Sequence, residues 1–143
     1  MGTPNLVEFA SAMLVGTCGR LLFQQRDNIP TIRNPGGIGL FGGHREPGES
    51  FAECVSREIH EEIGYLLAPE RFERLGPYEA IAPDGHQLRG EHFLARDIPV
   101  DALNVTEGSL LIVEQRDLPA FLPRLVPSSA AAALKFLKLS AAH

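Results

Sequence analysis

The stretch Gly43 to Tyr65, GHREPGESFAECVSREIHEEIGY, decides how the rest of this 143-residue chain is read. Pro47-Gly48 is a turn signal, and Ser50 then supplies a side-chain oxygen that can accept from an orphan amide at the start of a helix. From there Phe51, Ala52, Val55, Ile59 and Ile63 recur at spacings of three and four, an apolar stripe suited to docking on a sheet. The pattern predicts a helix with Ser50 as its N-cap and Gly64 as its stop.

Glu58, Glu61 and Glu62 stand three and four residues apart, so their side chains crowd one region of that helix. Each such pair of like charges costs an isolated helix roughly 0.2–0.5 kcal/mol, which a shared Mg²⁺ or Mn²⁺ would more than reverse. In most chains a run such as REIHEE is only a solvated helix face. What precedes it changes the weight: Asn34 to Gly43, NPGGIGLFGG, is rich in glycine and permits close approaches that a Cβ would obstruct, so a phosphate-bearing ligand could come near the chain. Arg57 lies beside the cluster and can pair with Glu49 through its fork-shaped donor set, fixing the loop against the helix.

Gly43, Glu49, Arg57-Glu58, Ile59, Glu61-Glu62 and Gly64 together form a spaced pattern that resembles the Nudix hydrolase signature, with Tyr65 where that family usually has an aliphatic residue. The resemblance implies an α/β fold, an α/β/α sandwich with a mixed sheet. It implies that Glu58, Glu61 and Glu62 bind one or more divalent ions, Mg²⁺ or Mn²⁺, helped by the backbone carbonyl of Gly43, and that Arg57 orients Glu49. The water-activating base varies within the family; Glu58 is one candidate and a carboxylate from a later loop is another. Thr106-Glu107-Gly108 resembles a late segment that supplies such a carboxylate in some members, which makes Glu107 the first choice. A loop Glu satisfied by water is its plain alternative, and Glu91 and Glu114 are the other candidates.

The family's chemistry is hydrolysis of a nucleoside diphosphate linked to another group, here a nucleoside triphosphate or a nucleotide sugar. Some Nudix domains are instead catalytically silent nucleotide-binding or regulatory modules, but these usually lose parts of the box, whereas all three helix carboxylates are present here. Homodimers are common in the family, and the apolar content leaves room for an interface.

Composition agrees with one such domain over residues 1–143, since a chain of this length that is 44% apolar can bury roughly two-thirds of its extended surface without staples. Cys18 and Cys54 are too few for a disulfide scaffold or a zinc site. No apolar run reaches the length of a membrane span and no basic-then-apolar leader is seen, so a cytoplasmic address is expected. The net charge of −5 argues against broad nucleic-acid binding but not against a nucleotide, whose phosphates Arg33, Arg45 or Arg89 could contact.

Along the chain, Phe9 to Gly16 and Arg20 to Gln25 read as two strands joined around Thr17-Cys18-Gly19, followed by a loop from Asp27 to Gly37. Leu40-Phe41 reads as a very short strand. Phe72 to Ala82 and Gln87 to Arg96 read as a hairpin around Pro83-Asp84-Gly85-His86, with Tyr78 and His86 as candidate ligand contacts. Leu110 to Val113 reads as a strand and Gln115 to Leu122 as a short helix begun near Asp117. Pro119 to Pro127 reads as a connector, and a last helix capped by Ser128 or Ser129 runs to Leu139 and covers the other sheet face. Met1 to Glu8 is either frayed or an edge contact.

Overall fold

The computed structural model describes residues 5–27 and 36–141. Arg33, Asn34 and Pro35 lie outside the described residues, as do Met1 to Pro4. Among the described residues seven strands and three α-helices follow in order: β1 (Leu6–Gly16), β2 (Leu21–Gln25), β3 (Ile38–Gly39), β4 (Phe41–His44), α1 (Phe51–Ile63), β5 (Glu73–Ile81), β6 (Gln87–Ile98), β7 (Ser109–Val113), α2 (Leu118–Phe121) and α3 (Pro127–Ala141).

The strands form one mixed sheet whose main path runs β3-β2-β1-β6-β5, with β4 on β1 and β7 on β2. Among these strand pairs β1 and β6 run parallel and the others antiparallel. β1 is central and buried on both sides. Its Ala10, Ala12 and Leu14 join Val55, Ile59 and Ile63 of α1 in one core, while Met13 and Val15 join Ala132, Ala133 and Phe136 of α3 in the other. Alternation along a strand sends neighbouring residues to opposite faces, so where helices cover both sides of β1 its residues run apolar without a break, from Ala12 to Val15. The fold is therefore the expected α/β/α sandwich, with α3 on the face opposite α1.

β1 begins earlier than its apolar run suggests, because Leu6 pairs with Gln87 of β6 and Glu8 with Arg89. Residues 6–8 are thus strand rather than frayed end. The hairpin of β5 and β6 forms around the expected turn. Leu40-Phe41 is not one strand: Leu40 separates β3 from β4, and β4 runs on through both glycines to His44.

The connector from Pro119 to Pro127 contains structure. Gln115–Asp117 is a 3-10 turn, Pro119 sits at the start of α2, and a second 3-10 turn follows at Leu122–Arg124. Helix α3 opens at Pro127, whose fixed φ and missing N–H suit a first helical position, so Ser128 and Ser129 lie inside the first turn and neither is the cap. Their hydroxyls have other partners: Ser129 Oγ accepts from the Leu40 amide at 3.0 Å, and Ser128 Oγ meets His92. No helix among the described residues is long and apolar enough to cross a membrane.

Candidate active site

Helix α1 starts and stops where its sequence predicts. The Glu53 amide donates to Ser50 Oγ at 3.0 Å while the Ser50 amide donates to Glu53 Oε1 at 2.8 Å, a reciprocal cap that satisfies two orphan donors. Gly64, at φ 67, ends the helix in the left-handed region. The last carbonyls of a helix have no partner within it. Here those of Glu61, Glu62 and Ile63 are taken by one loop: Thr106 Oγ1 donates to Glu61, the Thr106 amide to Glu62 and the Asn104 amide to Ile63, at 2.9, 2.9 and 2.7 Å. The same loop carries Glu107.

Strand β4 lies under α1, with Gly42 opposite Ser11 and Gly43 opposite Ala10. A Cβ on Gly43 would stand 2.3–2.6 Å from the carboxyl atoms of Glu58, and one on Gly42 would stand 2.2 Å from the Ala10 carbonyl oxygen. Gly43 is what allows the helix carboxylate to rest directly on the strand, and Gly42 what allows β4 to lie so close to β1.

Four carboxylates meet here in different states. Glu62 is only 4% exposed. Its Oε1 accepts from the Gly42 amide at 2.8 Å, and its Oε2 faces Gln24 Nε2 at 3.4 Å. Burial, opposed by the Gly42 bond and reinforced by Glu58 and Glu107, pushes its carboxyl up to about 8. Glu58 is also raised, by burial first, against the pull of Arg57 and with the help of Glu61 and Glu107. Glu61 is 56% exposed and lies 3.4 Å from Arg57 Nη1. Glu107 is exposed, yet close enough for its charge to act on both Glu58 and Glu62.

Arg57 ties the preceding loop to this group. Its Nε and Nη2 hold both oxygens of Glu49 at 2.7 and 3.0 Å, its Nη1 reaches Glu58 Oε1 at 2.9 Å, and Nη2 also donates to the His44 carbonyl at 3.0 Å. The fork-shaped pairing predicted for Arg57 and Glu49 is thus formed. It holds the Glu49 carboxyl down at about 2, chiefly through the Arg57 hydrogen bonds.

Among the described residues no three His, Cys, Asp or Glu side chains are gathered into a ready cation cage. Glu61 leans on Arg57 and Glu62 faces the sheet. The donor set nonetheless fits a hard divalent ion. It offers oxygens only, two of its carboxyls are raised by burial and in part by the charge of neighbouring carboxylates, and Gly43 leaves room beside Glu58. The Gly43 carbonyl accepts weakly from the buried Cys54 thiol, 3.5 Å away.

The other late carboxylates are tied elsewhere: Glu91 is held at 2.8 Å by both Nε and Nη2 of Arg74, and Glu114 pairs with Arg20 at 2.8 Å. Arg45 is engaged by Glu8 and by the Glu49 carbonyl, whereas Arg89 is half-exposed and only 3.7–3.8 Å from Glu79 and Glu8. A cleft of about 750 Å³ opens beside Gly42, Gly43 and His44. Of the two candidate ligand contacts, Tyr78 lines it and His86 does not; the His86 amide donates to Asp84 within the turn.

Sequence reasoning missed Gln24. Its Nε2 bridges Glu62 Oε2 and the Glu107 carbonyl, the latter at 3.1 Å, so it couples helix and loop from beneath. The available signal was Gln24 directly after the apolar run Leu21-Leu22-Phe23 of β2, since a buried polar side chain is there for its hydrogen bonds. Phe9 and Ser128, also in the cleft, gave no such signal.

Comparisons with known proteins bear on the fold and the family. No curated protein matches the chain. Among solved structures, the MutT protein of Methanosarcina mazei Go1 superposes with a TM-score of 0.82 at 18% identity, covering 98% of this chain and 99% of that one. A MutT NUDIX hydrolase of Burkholderia pseudomallei gives 0.73 at 25% identity over 92% and 98% of the two chains. A C. elegans Ap4A hydrolase in a binary complex gives 0.70 at 18% identity over 96% and 99%. The family model for the NUDIX domain matches residues 7–121, a span that holds the glycine strand, the capped helix and the Glu107 loop, and the chain accordingly belongs to the NUDIX family.

Proposed function

We propose that this protein is a divalent-metal-dependent pyrophosphohydrolase that cleaves a nucleoside diphosphate linked to another group, with a nucleoside triphosphate or a nucleotide sugar as substrate. One observation carries the reading: four carboxylates linked by their charges, two of them raised by burial and by their neighbours, lie beside a glycine strand that borders a ligand-sized cleft. Carboxylates held in mutual repulsion are a feature of sites that work with charge.

Glu58, Glu61, Glu62 and the Gly43 carbonyl would hold Mg²⁺ or Mn²⁺, with Glu61 released from its long contact to Arg57. Such an ion, when bound, polarises a phosphoryl oxygen and lowers the pKa of a coordinated water. Arg57 keeps Glu49 and the 44–49 loop fixed against the helix. Glu58 or Glu107 accepts the proton of the attacking water; Glu58 is held in place by Arg57 and Gly43, while Glu107 is the more exposed of the two. The cleft beside Gly43 receives the rest of the substrate.

Product identity by mass-resolved chromatography tests this, on a panel of canonical and oxidised nucleoside triphosphates, nucleotide sugars, ADP-ribose and dinucleoside polyphosphates, with and without Mg²⁺ or Mn²⁺. Metal-dependent cleavage of one class is expected, with loss in Glu61→Gln and Glu62→Gln variants whose circular dichroism is unchanged. Stoichiometric nucleotide binding without turnover across the panel would make the protein a binding module instead.

A further inference from the structure

The cleft beside Gly43 is walled in part by Ser128, in the first turn of α3, and by the rings of Phe9 and Tyr78. Directly behind this wall His92 of β6 is fully buried, with its ring 5.5 Å from that of Tyr78 and 6.3 Å from that of Phe9. His92 Nδ1 lies 3.2 Å from Lys135 Nζ, and His92 Nε2 lies 3.1 Å from Ser128 Oγ. Lys135 is anchored in turn, donating to the Pro77 carbonyl at 2.6 Å.

Donor and acceptor capacity gives this chain a direction. An ammonium group only donates, so His92 Nδ1 is the acceptor and the imidazole proton sits on Nε2. That Nε2–H donates to Ser128 Oγ, which uses one of the oxygen's two lone pairs. Ser128's own hydrogen then has no acceptor among the described residues. A series of bonds that all point away from a cation polarises each member in the same sense, so the final hydroxyl becomes a stronger donor and a weaker acceptor. Burial first, and then the charge of Lys135, hold the His92 imidazole down at about 4, in keeping with a neutral ring near pH 7.

We propose that Ser128 is a specificity-determining residue of this cleft, a hydroxyl donor set by Lys135 through His92, and that it selects a ligand whose planar ring carries a carbonyl oxygen. The aromatic wall accepts the ring and the hydroxyl reads its edge. Lys135 and His92 are positioning residues, because neither lines the cleft. This rests on the reading of the cleft as the substrate's seat, and it adds which bases that seat prefers: keto-bearing over amino-bearing.

The test measures binding of IMP and AMP, which differ at one edge of the purine, by titration calorimetry on the full chain in Mg²⁺. IMP is expected to bind about 3- to 10-fold more tightly, the weight of one neutral hydrogen bond. Ser128→Ala should erase that ratio by weakening IMP alone, and Ser128→Thr should keep it. Lys135→Met should also reduce the ratio, because His92 is then free to take either tautomer, and Lys135→Arg should restore it. Nitrogen-15 NMR of His92 in the unaltered protein should show the proton on Nε2. Equal weakening of IMP and AMP in Ser128→Ala would assign the hydroxyl to phosphate or ribose and overturn the proposal. So would an Nδ1-protonated His92, an unchanged ratio in Ser128→Ala, or failure of both nucleotides to bind. Turnover on the substrate panel is scored separately, so metal-dependent cleavage with no keto preference would refute this inference and leave the hydrolase reading standing.

Discussion

Replacing Glu62 by Gln in the metal-free protein should reverse a pH dependence that its buried carboxyl imposes. The carboxyl is pushed up to about 8 from an ordinary value of 4.5. Between those values the folded chain keeps a proton that the unfolded chain has released, so stability falls as pH rises, by up to 1.36 kcal/mol per unit. Across the window this amounts to roughly 5 kcal/mol as a ceiling, and about 2–5 kcal/mol once relaxation around the site is allowed for. Gln preserves the shape and the acceptor for the Gly42 amide but does not ionise. Urea unfolding in chelator at pH 5, 7 and 9 measures the effect directly. The variant should gain on the unaltered protein by that amount between pH 5 and 9. A smaller slope should remain in the variant from Glu58, whose carboxyl is raised as well. His92, depressed by burial to about 4 from 6.5, gives the opposite slope between those values in both proteins and cancels in the difference. Excess Mg²⁺ should remove most of the loss in the unaltered protein and little in the variant. Parallel pH curves for the two chains would refute the reasoning.

Two further substitutions probe the same site. Gly43→Ala places a Cβ within 2.6 Å of the Glu58 carboxyl, so turnover should fall at least about 100-fold in steady-state assays, with a loss of about 1–3 kcal/mol in urea unfolding from overpacking. Arg57→Lys breaks the two-pronged grip on Glu49, whose carboxyl sits at about 2 in the fold. Because that carboxyl is depressed, its contribution is present above pH 4.5 and lost as pH falls toward 2, so the variant's acid-unfolding midpoint by circular dichroism should show less of the loss in that window and lower stability at pH 7.

How much of this was legible in the sequence depends on how far apart the interacting residues lie. The cap joins Ser50 to Glu53 and the stop is Gly64 itself, so α1 could be read from its own residues. The pairing of Arg57 with Glu49 spans eight positions and was also within reach. By contrast Gln24 meets Glu62 across 38 positions and Glu107 across 83, and nothing local to β2 says which buried acid a glutamine will serve. The short strand read at Leu40-Phe41 stops before Gly42 and Gly43 because glycine is a poor strand former, yet both are paired strand residues; the missing side chain of Gly42 lets β1 come close, and that of Gly43 makes room for Glu58. Ser128 and Ser129 read as helix caps because only their neighbours in sequence were visible; in the fold a proline opens the helix and the hydroxyls turn to β6 and Leu40.

The loop from Asn104 to Glu107 has a consequence for anyone who would move this site elsewhere. It does not merely lie near the carboxylate helix, since the backbone of Glu61, Glu62 and Ile63 is its landing surface. Sequence identity across residues 43–65 is therefore too small a unit of inheritance. A grafted box that arrives without the distant Thr106 would reach its new host with a frayed last turn, and two of its three acids sit in that turn.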